Sequence, residues 1–111
     1  IQPFDLGTYD GARLTFSDAT FMEGPILYAA SAVVPDSGEV RGAALGVIEP
    51  DGTARWAVVR DEAGQPFRGR IEGLAHHPTR TRRIHFVIDD ADESVPSEIF
   101  DAELHGDWPF D

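Results

Sequence analysis

Short apolar stretches alternate with turn-forming clusters along this chain. Almost nowhere do apolar residues take the i, i+3, i+4 spacing of an amphipathic helix. The stretches recur at intervals of about 8–14 residues, the rhythm of a sandwich, barrel or propeller. Strands are predicted over 4–9, 14–21, 26–34, 43–49, 54–60, 71–76, 84–88 and 97–105, with an irregular tail over 106–111. The breaks have physical causes. Asp10-Gly11 is a hairpin signal because glycine tolerates positive φ. Gly24-Pro25, Pro35-Asp36-Ser37-Gly38 and Pro50-Asp51-Gly52 are turns by composition. Residues 26–34 form the most continuous apolar run and read as a strand buried on both faces. The segments 43–49 and 54–60, with Trp56, Val58 and Val59, make the clearest hairpin. Residues 61–69 read as a longer polar connection.

The expected fold class is therefore all-β, with about two four-stranded antiparallel blades of propeller type. One blade spans 10–60 and the other 70–105, where three strands are found. The early strand 4–9 is left over, to serve as an outer strand of a preceding blade or of the incomplete last one. Blades pack only on their neighbours, so an isolated pair would expose two apolar faces and tend to associate. Three arrangements satisfy this: a piece of a larger propeller, a two-blade unit that oligomerises, or a differently closed small β fold.

Composition narrows the function classes. The chain of 111 residues holds one domain at most. Its hydrophobic content of 41% argues against disorder. No apolar run reaches the roughly 18 residues of a membrane-spanning helix. The first residues carry no charged and apolar signal regions, and the absent initiator Met points to a trimmed chain. The expectation is a soluble protein, either cytoplasmic or exported with its signal removed. There is no Cys, so any metal must take oxygen or imidazole ligands. The net charge is −11 and all nine basic residues are Arg, which disfavours nucleic acid as a partner and suits cation binding. A high-GC genome or a salt-adapted source would each produce that bias.

Several segments carry a resemblance. Leu14-Thr15-Phe16-Ser17-Asp18-Ala19 leads into Ile26-Leu27-Tyr28-Ala29-Ala30-Ser31-Ala32, and Ala44-Leu45-Gly46-Val47-Ile48 follows. Ile71-Glu72-Gly73-Leu74-Ala75 then precedes Ile84-His85-Phe86-Val87-Ile88-Asp89-Asp90-Ala91-Asp92. Together these resemble the C-terminal part of bacterial phytase-like and esterase-like β-propeller proteins. The resemblance implies that Glu72, on an innermost strand, points toward a central channel, where acidic residues of the phytases bind calcium. It further implies metal-assisted ester hydrolysis in a complete ring, which this chain alone would not perform. The basic residues for phosphate that a phytase needs are not evident, since Lys is absent and most Arg fall in predicted loops.

The candidate metal ligands are Asp18 and Glu72, each interrupting an otherwise apolar inner strand, with Ca²⁺ as the fitting cation. Their structural alternatives are a strand-ending turn or bulge for Asp18, and hydrogen bonds to a neighbouring blade's backbone for Glu72. Asp90 and Asp92, with Ser94, echo the start of an EF-hand loop. Val95 stands where that loop requires Gly and Asp101 where it requires Glu, so an EF-hand is rejected. An acidic surface loop or a weak exposed cation site is left. The four His match no zinc spacing, and no Gly-x-Ser-x-Gly elbow or Gly-rich phosphate loop is present, so no organic cofactor is expected. Arg80, Arg82 and Arg83 read as a solvated turn, able to pair with the acidic loop. The expected partners are the remaining blades of a propeller or another copy of the chain, with neither nucleic acid nor membrane. The competing reading is a non-catalytic interaction or scaffold module.

Overall fold

A computed structural model describes residues 4–77, 82–88, 94 and 98–109. Among these residues the chain is all-β. Its strands are β1 (Thr8–Tyr9), β2 (Ala12–Phe21), β3 (Ile26–Val33), β4 (Val40–Ile48), β5 (Ala54–Val58), β6 (Ile71–His76), β7 (Arg83–Ile88) and β8 (Ile99–Glu103). They form a five-stranded sheet in the order β1-β2-β3-β4-β5 and a three-stranded sheet in the order β6-β7-β8. Every pairing is antiparallel. No helix among the described residues is long and apolar enough to cross a membrane.

The early strand differs from its predicted role. It shrinks to Thr8–Tyr9 and pairs with the start of β2, so it adds to the first sheet and does not complete the second. The turn explains why. Asp10 and Gly11 both adopt positive φ, 50° and 77°, the two-residue turn whose twist suits a tight hairpin. That turn returns the chain onto β2 at once. The β4–β5 hairpin forms as expected. Its turn is held by the Asp51 carboxylate, which accepts a hydrogen bond from the Thr53 N–H at 2.9 Å. The same hydrogen bond holds the Asp51 carboxyl below its ordinary pKa.

Both faces of the first sheet are covered over residues 27–32, which is why β3 is made of apolar and small residues there. Leu27 and Ala29 point into a core shared with the second sheet, together with Leu45, Val47, Ile71, Ile84, Phe86 and Leu104. Tyr28, Ala30 and Ala32 point the other way, into a cluster with Leu6, Leu14, Ala44 and Ile48. Phe4, Tyr9 and Trp56 lean on this second cluster. The N-terminal segment is pinned there by the Trp56 indole N–H, which donates to the Leu6 carbonyl at 2.7 Å. Residues 4–9 thus cover part of a sheet face that would otherwise be open.

Tyr28 is the largest fully buried side chain among the described residues. Its ring passes over Gly46 on the neighbouring strand, and its hydroxyl reaches the Arg55 carbonyl at 3.4 Å. Burial pushes the phenol up to about 12. The unfolded chain would ionise this group near its ordinary value of about 10. Stability from this source is therefore complete below pH 10 and lost as pH rises through the window from 10 to 12. The loss should be on the order of 1–3 kcal/mol. Urea unfolding from neutral to strongly alkaline pH checks this, and Tyr28→Phe should flatten the alkaline slope. An equal slope in the variant would assign the effect to other groups.

Candidate functional site at the seam between the sheets

β2 and β6 lie side by side where the two sheets meet. Each carries a β-bulge. On β2, Leu14 and Phe16 pair with Ala32 and Ala30, but the register shifts before Asp18, which pairs with Ala29. Ser17 is the extra residue. Uninterrupted alternation would set Asp18 on the same face as Leu14 and Phe16. The bulge reverses the phase and turns Asp18 toward the second sheet. On β6 the register shifts between Ile71 and Gly73, leaving Glu72 as the extra residue, with its side chain exposed.

The half-buried Asp18 spans the seam. Its Oδ2 accepts a hydrogen bond from the Leu74 N–H at 2.8 Å. That N–H belongs to the edge of β6 turned away from β7. His77 N–H donates to the Arg83 carbonyl, so the alternate residues Ala75 and Gly73 carry the ladder to β7. Asp18 thus satisfies a β6 donor that β7 leaves unpaired. The bulge at Asp18 does not end the strand, which runs on to Phe21, and the backbone bond across the seam is made by Asp18, where one by Glu72 was the expected alternative. Asp18 comes to the Glu-Gly-Leu segment, two residues from Glu72 in sequence.

The other candidates are placed as follows. Among the described residues no group of three or more His, Asp or Glu side chains is positioned to hold a metal ion. Asp90 and Asp92, together with Arg80, lie outside the described residues. Arg83 forms an ion pair with Asp101 across β7 and β8, and Arg82 donates to the Gly106 carbonyl at 2.9 Å. The rings of His77 and His85 sit 5.4 Å apart, and His85 Nδ1 is 3.8 Å from the Asp101 carboxylate.

A cleft of about 800 Å³ opens between β5 with the loop that follows it and β8 with the tail. Phe67, Phe86 and Phe100 contribute to its lining and contact one another at centroid distances of 5.2–5.4 Å. Phe67 lies in the segment predicted as a polar connection. Its backbone is fixed there: the N–H donates to the Val59 carbonyl at 2.8 Å and the carbonyl accepts from Ala43 at 3.0 Å. Asp61 shapes the loop by accepting from the Ala63 and Gln65 N–H groups at 3.0 Å each. An apolar aromatic inside a Gly/Pro-punctuated loop was the available signal for this wall. Trp108 closes one end, with its indole N–H donating to the His105 carbonyl at 2.9 Å.

No curated protein and no solved structure matches the chain. A family model described as a family of unknown function, DUF6929, matches residues 1–104. With nearly its whole length matched, the chain belongs to the DUF6929 family.

Proposed function

We propose that the chain is a two-sheet unit of a propeller-type assembly and acts as a non-catalytic interaction module within it. The observation that supports this is a pair of exposed apolar patches on opposite outer faces. Phe16, Phe21 and Ile26 lie on the first sheet's face turned away from the second, and Phe21 is 70% exposed. Val87 and Ile99 are cross-strand neighbours on the second sheet's face turned away from the first, and Ile99 is 75% exposed. Such patches mark protein contacts. Two different faces that meet head to tail build a ring if the rotation closes. The partners are then further blades of the same kind or copies of this chain.

Light scattering coupled to size exclusion tests the reading. The wild-type chain is expected to run as a multimer or a concentration-dependent mixture. Phe21→Glu combined with Ile99→Glu is expected to shift it to monomer without unfolding it. A wild-type chain that stays monomeric at NMR concentrations would overturn the proposal.

A second reading is cation binding at the seam, supported by the arrival of Asp18 beside the segment that carries Glu72. Further oxygen ligands would have to come from neighbouring blades, since Ca²⁺ takes six to eight.

A further inference from the structure

The outward face of the second sheet carries an imidazole pair that spacing along the chain does not reveal, because its members stand on different strands. Along β7 the side chains alternate. Ile84 and Phe86 enter the shared core, and Arg83, His85 and Val87 take the opposite face. His77 follows directly on β6, in register opposite Arg83, and its N–H donates to the Arg83 carbonyl at 3.0 Å. It is therefore the diagonal cross-strand neighbour of His85, and the two ring centres lie 5.4 Å apart. Asp101 stands directly opposite His85 on β8.

Asp101 is divided between two neighbours. Its Oδ2 pairs with Arg83, and its Oδ1 lies 3.8 Å from His85 Nδ1. A carboxylate facing Nδ1 favours the tautomer with the proton there and turns the Nε2 lone pair into a metal donor. This is the carboxylate–histidine–metal arrangement. The ring separation suits chelation. With metal–nitrogen bonds of about 2.1 Å at a tetrahedral angle, two imidazoles on one ion have ring centres roughly 5 Å apart. The charge of Arg83 on this face is balanced by Asp101, and the net charge of −11 draws cations to the surface.

We infer that His77 and His85 form a two-imidazole site for a divalent transition ion such as Zn²⁺, with Asp101 as the positioning residue for His85. No third His, Asp or Glu among the described residues joins them as a ligand, so water fills the open positions. Imidazole suits transition ions, whereas Ca²⁺ takes oxygen. The site thus differs in chemistry from the seam at Asp18 and Glu72, and it depends neither on that reading nor on the assembly proposed above.

The test is a Zn²⁺ titration of the full chain, followed by imidazole NMR signals and calorimetry. Zn²⁺ is expected to shift the His77 and His85 signals together, and excess Ca²⁺ should not reverse the shifts. His77→Gln and His85→Gln should each weaken binding at least about ten-fold, while His105→Gln leaves it unchanged. Asp101→Asn should weaken binding about ten-fold and move His85 away from the Nδ1-protonated tautomer in the metal-free protein, a signature that a purely structural role would not alter. Shifts confined to carboxylate residues, affinity retained in both single His variants, or no imidazole shift at about 1 mM Zn²⁺ would each overturn the assignment.

Discussion

Gly46→Ala is expected to destabilise the fold by about 3 kcal/mol, a large fraction of the stability of a domain of this size. A methyl group at this position would press on Tyr28 Cζ, lie 2.5 Å from Tyr28 Oη, and lie 2.6 Å from the Arg55 carbonyl oxygen. None of these atoms can yield cheaply. Tyr28 is completely buried, so its ring has no empty volume to enter. The Arg55 oxygen is backbone in β5, held in register opposite β4. Tyr28→Phe would not rescue the variant, because the ring carbon and the carbonyl remain. Gly73→Ala is the fitting comparison. There the methyl meets only the Val87 Cγ2 at 3.2 Å, the tip of a 41% exposed side chain that can turn aside. Its cost should stay within about 1 kcal/mol. Urea denaturation of both variants checks the contrast. Similar losses at the two positions would contradict the packing argument.

Asp18→Ala is expected to cost about 1.5–3 kcal/mol, the range for a hydrogen bond to a charged group whose donor is left unpaired. Asp18→Asn retains an acceptor oxygen and should lose about half as much. The local readout is sharper than the global one. The Leu74 amide should exchange at least about ten-fold faster in Asp18→Ala, while amides in the β4–β5 hairpin keep their protection apart from any change in global stability. The same variants divide the two roles considered for this carboxylate. A cross-sheet strut predicts a melting temperature indifferent to Ca²⁺ or EDTA in the wild type and in Glu72→Gln. A cation ligand predicts a Ca²⁺-dependent rise in the wild type that both Asp18→Ala and Glu72→Gln abolish.

Strand positions were largely legible because each rests on local chemistry. β6 spans Ile71–His76 as the pattern predicts, and β7 begins one residue earlier than expected, at Arg83. The doubly buried character of β3 followed from its unbroken run of apolar and small residues, and the structure divides that run between two cores. Two features were hidden. The direction of Asp18 depends on whether Ser17 counts in the alternation, and nothing in Thr15-Phe16-Ser17-Asp18 marks the bulge. Phe67 reads from its type as a core-packing aromatic and does pack on the shared core. Its place on the cleft wall was hidden, since it rests on hydrogen bonds to Val59 and Ala43, contacts made only once β4 and the loop have met. Asp10-Gly11 did hold the answer to the placement of β1, since a two-residue turn permits only the adjacent strand as partner. The candidate residues were thus chosen by type, while their orientation came from register, a property of pairs of strands.

The paired bulges carry a consequence for the evolution of chain length. Deleting Ser17 would exchange the two faces of β2 beyond it, exposing what faces the second sheet and burying what faces away. Deleting Glu72 would do the same to the start of β6. A relative that loses one of these residues must rebuild the seam by a compensating change in the opposing strand. Insertions and deletions at 17 and 72 should therefore be inherited together, as linked changes in reading phase rather than as independent loop-length drift.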